Sequence, residues 1–361
     1  MVEVPMCNDA ITARAMPSTN RSLARICSLS LLVVFFSNSA LSADLNRPRP
    51  VATDVAAAQA MGCSLPSPVI NARGHVFYSD NNKSTVSQAD RMLDRRMSEP
   101  LRTFYGTALR LANSIQVHSH PATDPQSLCL RAMLLKWADA GALLGAANAQ
   151  GGYHRMWATV PIAISARQVI DDPALRPERR KALLDWLDAV AQRTIARFSE
   201  RHTHDNLTAW AGAAAVSTAS VTGNEGERAW GIQQMRSVLA GVLKDGSLPV
   251  ESARGESSPR YHCFALTALM TTLLFADRND LSAKDKAALH RLAVFTLRRS
   301  GPDAAALKKH GCLAWMAIYS VLQKTDPSLR VERLEGAFGK APLHYVFLGD
   351  VNLLLARIEG Q

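Results

Sequence analysis

Residues 251–266 read ESARGESSPRYHCFAL. They follow a turn signal, Lys244-Asp245-Gly246-Ser247, and open a segment rich in Ala, Leu and Met. Pro259 forbids a regular helix through the interval but suits a loop that feeds a first helical turn. The stretch therefore predicts a loop-to-helix junction, with helix over about 261–276. Arg254 and Tyr261 lie seven residues apart on either side of Pro259. A cation and a phenol at such a mouth are placed to act on one small anionic group.

Outward from this junction the chain reads as helix after helix. Residues 128–144 form the first strong pattern, and 157–169 follow. Leu175-Arg176-Pro177-Glu178 marks a new helix start, after which Leu183, Trp186, Leu187, Val190 and Ile195 recur at three- and four-residue steps. Residues 207–220 are dense in Ala, which permits close packing; Ile232, Met235, Leu239 and Val242 give the next stripe. Further patterns cover about 284–298 and 312–322, and a looser one runs from Asp90 to Asn113. Residues 44–67, rich in Pro and Ala, read as irregular, and 75–85 (HVFYSDNNKST) as an exposed loop. Beyond about 325 the sequence says little, although 346–355 suits a final apolar element. Alternating strand patterns are nearly absent, so the expectation is one all-α domain over 44–361. Periodicity alone permits either a bundle or a solenoid.

The 361 residues are 47% hydrophobic and 20% charged, a globular composition, with a formal net charge of +10. A surplus of that size favours polyanionic partners. Zinc-ligand spacing, an RNA-binding aromatic signature and a clustered basic arm are all missing from the sequence, so acidic polysaccharide is preferred over nucleic acid. At the N-terminus Arg21 and Arg25 precede an apolar run from Ile26 to Phe36 and then Ala40-Leu41-Ser42-Ala43. This reads as an export signal over 1–43, too short for a membrane anchor, with Met16 a plausible true start. A periplasmic or secreted monomer, with no membrane attachment once the signal is removed, is the expectation. Cys63, Cys129, Cys263 and Cys312 then remain in a compartment that permits disulfides.

A second motif, Asp205-Asn206-Leu207-Thr208-Ala209-Trp210-Ala211-Gly212, stands about 45 residues upstream of Arg254 and Tyr261. Together the two stretches resemble the alginate lyases of polysaccharide lyase family 5. That family carries Asn-Asn-His-x-x-Trp, then an Arg and a Tyr spaced as Arg254 and Tyr261 are. Residues 129–144 resemble the family's early core helix. Residues 149–157 (AQGGYHRMW) resemble its substrate-facing segment, with Tyr153 and Trp157 in register. Phe77-Tyr78-Ser79-Asp80 with Lys83-Ser84 resembles its lid, so residues 75–90 are expected to be lid-like. One departure stands out: Leu207 occupies the place of the family histidine. The resemblance implies an incomplete α/α toroid, a Cys63–Cys129 disulfide, and a lyase acting on a polyuronate without metal or organic cofactor. It assigns no partner to Cys263 or Cys312, which read as small buried apolar residues.

The implied reaction is β-elimination. It needs a group to neutralise the uronate carboxylate, a base for the C5 proton and an acid for the oxygen leaving C4. Carried over, Asn206 and Arg254 take the carboxylate, and Tyr261 serves as base, acid or both in turn. A free phenol has a pKa of about 10, and the Arg254 cation would favour its phenolate. Leu207 can supply neither charge nor proton transfer, which leaves Tyr261 alone or another histidine (His202, His204 or His262). Tyr153 and Trp157, four apart on a helix, suit stacking on sugar rings or the core. Arg155, Arg260, Lys83 and Lys136 are candidate carboxylate contacts, with Tyr78 from the lid. Trp315 matches a late tryptophan of the family. Two rival readings keep the same cleft: a non-catalytic polyuronate-binding protein, and a toroid hydrolase using two carboxylates from among Asp205, Glu251 and Glu256.

Overall fold

The computed structural model describes residues 52–118, 124–201, 203–277, 280–301, 304–331 and 343–359. The expected export signal and His202 lie outside the described residues. Helices dominate: α1 (Ala52–Ala60), α2 (Gln88–His118), α3 (Pro125–Asp139), α4 (Ala149–Ala166), α5 (Pro177–Phe198), α6 (Asn206–Thr222) and α7 (Glu225–Ala240). After them come α8 (Pro249–Ser252), α9 (Ser258–Phe275), α10 (Ala283–Ser300), α11 (Ala304–His310), α12 (Leu313–Thr325) and α13 (Val351–Glu359). A two-stranded antiparallel hairpin, β1 (His344–Tyr345) and β2 (Gly349–Asp350), precedes α13.

Local chemistry accounts for most helix starts. Asp124, Asn148, Asp205 and Asn224 each cap the first turn that follows by accepting a backbone N–H, and Ser282 forms a reciprocal capping box with Asp285. Helix α6 ends at Gly223, whose φ of 74° is the left-handed C-cap conformation that glycine adopts without penalty. One expectation fails here. The Ala-rich run ATDVAAAQA is not irregular but forms α1, because alanine's helix propensity outweighs the prolines upstream. Asp54 of α1 lies 3.5 Å from Arg131 of α3, which ties this helix down.

Helices α2, α4, α6, α9 and α12 pack in succession along the inner side, and α3, α5, α7 and α10 lie against them outside. The hairpin and α13 run from α12 back to α2. This is an incomplete α/α toroid. Helix α6 sits at its centre with every residue from Asn206 to Ala219 buried. A helix apolar all round has no solvent face to keep, so it is enclosed on all sides by its neighbours. Alanine and glycine allow the approach: a Cβ at Gly212 would stand 2.8 Å from the Gly231 carbonyl oxygen of α7.

Two disulfides tie the periphery to this frame. Cys63–Cys129 forms as the resemblance implied, anchoring the segment that follows α1 to α3. Trp137 Nε1 donates to Pro66 O at 3.1 Å and Lys136 Nζ to Leu65 O at 2.8 Å, so Lys136 braces that segment rather than facing substrate. The second bridge settles a pairing that the sequence left open. Cys263 and Cys312 are bonded, joining α9 to the turn between α11 and α12. They lie 49 residues apart, and only the packing of α11 and α12 against α9 brings them together.

Candidate active site

A cleft of about 610 Å³ opens along the inner helices, in the size range of small-molecule sites. At its floor the two motifs of the sequence meet. Asp205 is the N-cap of α6, its side chain accepting from Thr208 N at 3.0 Å, so Asn206 stands at the first helical position and is not itself the cap. Arg254 ends the short path from α8 into a 3₁₀ turn (Gly255–Ser257), and α9 then begins at Ser258 with Pro259 in its first turn. Gly255, at φ 56°, takes the left-handed turn that a side chain would resist.

Glu251 holds these two strands of the motif together. Its carboxyl is fully buried. One oxygen accepts from both the backbone N and Nδ2 of Asn206, each at 2.7 Å, and the other accepts from Arg254 Nε at 2.6 Å. The pair does not lie at the surface: Arg254 is only 4% exposed. The distinction matters, since a buried pair is screened far less than a surface one. Burial pushes the Glu251 carboxyl up, while Arg254 and the Asn206 hydrogen bonds pull it back toward the ionised form. Arg254 in turn lies over the Tyr261 ring, with Cζ 3.9 Å from the centroid. Amide, guanidinium and phenol thus face one cavity.

The walls supply aromatic surface and cations. Tyr153 and Trp157 of α4 both line the cleft with ring centroids 6.1 Å apart. Trp157 Nε1 is itself buried and finds no hydrogen-bond partner among the described residues. From the loop before α2 come Tyr78 and Lys83, whose Nζ lies 5.9 Å from the Tyr153 ring. Burial raises the Tyr78 phenol, while Arg254 and Arg260 lower it, which sets this tyrosine within their field. The turn in this loop is fixed by Asp80, which accepts from Ser84 N at 2.9 Å and Thr85 N at 2.6 Å. The loop ends at Ser87, since α2 starts at Gln88. Arg260 and Leu207 also line the cavity.

Other expected residues lie elsewhere. Arg155 is buried, donates to the Gly145 carbonyl at 2.6 Å and does not line the cleft. Trp315 is fully buried against Tyr319. His204 bonds Ser237 Oγ at 3.2 Å away from the cleft. His262 is fully buried, accepting from Leu248 N at 3.1 Å and contacting the Ser258 carbonyl at 2.9 Å. Neither of these two histidines replaces the family's. The hydrolase candidates fare no better: Asp205 caps α6 and pairs with Arg201, Glu251 is enclosed, and Glu256 lies off the cleft.

Several cleft residues escaped sequence reasoning. Phe264 of α9, Tyr345 and Phe347 of the hairpin, and Lys308, Lys309 and His310 of α11 all line it. Phe347 stacks on Trp157 at 6.1 Å, and Tyr345 lies parallel to Trp210 at 6.4 Å. The apolar run at 346–355 was the available signal for the hairpin, but nothing local says that it returns to α4 and α6.

The alginate lyase family model matches residues 79–306. A polysaccharide lyase of Stenotrophomonas maltophilia is 27% identical over 295 residues, covering 78% of this chain and 86% of that protein. An alginate lyase of Pseudomonas aeruginosa is 26% identical over 261 residues, with 66% and 70% covered. Among solved structures, alginate lyase A1-III complexed with a tetrasaccharide superposes with a TM-score of 0.63 at 18% identity, covering 86% of this chain and 88% of that one. Alginate lyase A1-III from Sphingomonas species A1 gives 0.59 at 18%, with 84% and 93% covered. These structures share the toroid, and with the family match across most of the chain they lead to one conclusion: the protein belongs to the alginate lyase family and is a polysaccharide lyase.

Proposed function

We propose that the protein is an exported lyase that cleaves a polyuronate by β-elimination at Asn206, Arg254 and Tyr261. One observation carries this reading: a buried carboxylate, Glu251, orients Asn206 and Arg254 together while Arg254 lies 3.9 Å over the Tyr261 ring. Donors held rigid before substrate arrives need no reorganisation when charge develops on the uronate carboxylate. Arg254 and Asn206 hold that carboxylate and stabilise its aci-carbanion. Tyr261 then exchanges a proton with C5 or with the leaving O4. Tyr153 and Trp157 stack on sugar rings, and Lys83 and Arg260 attract neighbouring carboxylates. The substrate is an acidic polymer of the alginate, polymannuronate or polyglucuronate kind. Export is supported by the N-terminal segment and by two disulfides in the described residues.

The test is to incubate purified protein with a panel of polyuronates and follow ultraviolet absorbance of the unsaturated product. Tyr261→Phe removes the hydroxyl without disturbing the ring and should abolish the signal. Full rate in that variant refutes the assignment of Tyr261. Binding without unsaturated ends would turn the reading toward a carrier, and new reducing ends without the chromophore toward a hydrolase.

A further inference from the structure

Leu207 places no imidazole beside Asn206, since its side chain is apolar and 6% exposed. One histidine does reach the cavity, from a distant part of the chain. His310 ends α11 and lines the same cleft as Asn206, Leu207, Arg254 and Tyr261. It is half-buried, and its ring makes no hydrogen bond to any described residue.

Its placement is built into the fold. Cys263 stands two residues beyond Tyr261, and Cys312 two residues beyond His310. Their disulfide holds the two backbones at a Cα separation of 4.8 Å. Gly311, at φ 73°, turns the chain between His310 and Cys312, with Cys312 N donating to Leu307 O at 2.9 Å. The covalent link therefore pins the turn that carries the imidazole to the helix turn that carries the phenol. Lys308 and Lys309 flank it on its own helix, and Arg260 faces it from α9. Burial first, then Lys309 and Arg260, push the imidazole below its ordinary range. At neutral pH the ring is uncharged and holds a free lone pair, a far stronger base than a neutral phenol.

We propose that His310 is a further catalytic residue, the general base that takes the C5 proton in this chain, entering from α11 where Leu207 can supply none. The inference rests on the lyase reading above. In the step, an imidazole nitrogen removes the proton at C5. The C5–H electron pair becomes the C4=C5 double bond as the C4–O4 bond breaks. O4 leaves with the proton of the Tyr261 hydroxyl, giving a free 4-hydroxyl on one fragment and an unsaturated end on the other. The imidazolium then returns its proton to the Tyr261 phenolate through water, and no oxidant or reductant is consumed.

The experiment compares wild type, His310→Gln and the double variant Leu207→His/His310→Gln on whichever polyuronate the wild type cleaves. Loss of a general base predicts a fall in kcat of about 100-fold or more for His310→Gln, with KM within about threefold. The double variant, with an imidazole restored beside Asn206, should recover at least about tenfold of that loss. Circular dichroism melting checks that the variants fold. Should His310→Gln fail to fold, diethylpyrocarbonate on the wild-type protein replaces it: inactivation must track modification of His310 by mass spectrometry, and an oligouronate must protect. A kcat within about threefold of wild type overturns the proposal, as does a rise in KM alone, which would make His310 a binding group only. Activity that survives full modification of His310 overturns it equally. A wild type that releases no unsaturated product from any polyuronate overturns the lyase reading and this inference together, whereas an active wild type with an unaffected variant overturns this inference alone.

Discussion

Replacing Glu251 with glutamine tests whether the site is held from beneath. The carboxyl accepts three hydrogen bonds, two from Asn206 and one from Arg254, at 2.6–2.7 Å and with no solvent exposure. Glutamine keeps the shape but offers one oxygen and one NH2 group. If the oxygen serves Asn206, the NH2 meets Arg254 Nε–H, donor against donor; turned round, it meets the two Asn206 donors. Either way the buried guanidinium loses its counter-charge. Breaking a buried ion pair by removing one partner costs about 3–5 kcal/mol. For a folded unit of roughly 300 residues, the unfolding entropy converts that to a fall in Tm of about 5–8 °C. Catalysis should suffer more than stability, because Asn206 and Arg254 lose their shared alignment. A fall in kcat of about 100-fold is expected, as for removal of an oriented transition-state donor. Scanning calorimetry and initial rates of unsaturated-product release, measured on the same preparation, give both numbers. A variant that melts within about 2 °C of wild type and retains its rate would refute the clamp. A large loss of Tm with full activity would make Glu251 structural only.

Other outcomes follow from the same coordinates. Trp157→Ala should raise KM on polymer more than it lowers kcat, since stacking is made in ground and transition states alike; steady-state kinetics separate the two. Replacing Cys263 and Cys312 together by serine opens a loop of 49 residues and should cost about 4 kcal/mol in denaturant unfolding, with an accompanying loss of activity because His310 is freed. Glu227, fully buried beside Asp188, has its carboxyl pushed up to about 8 by burial and by that neighbour. A raised acid pKa favours the folded state below the unfolded value near 4.5 and loses that advantage as pH rises through 8. Melting temperature should therefore fall across that window in wild type and fall less in Glu227→Gln.

What the chain alone determined was its helical character and the two stretches that resemble the family's motifs. The spacing of Leu183, Trp186, Leu187 and Val190 reports a helix because one face must be apolar every three or four residues, and Pro259 reports a start because it lacks a first-turn donor. Such signals act over a few residues and need no partner. Asn206, Arg254 and Tyr261 were singled out by the resemblance of their two stretches to the family's motifs, which are also short and local. Only the tertiary structure decided how they meet. Glu251 read as one of three carboxylates open to a hydrolase until α6 and α8 closed over it, and Arg155 looked like a substrate contact until the Gly145 carbonyl claimed it. Cys263–Cys312, the hairpin residues Tyr345 and Phe347, and His310 reach the cleft from segments far away in the chain. Contacts of that range depend on how whole helices pack around α6, and no local pattern of residues encodes them.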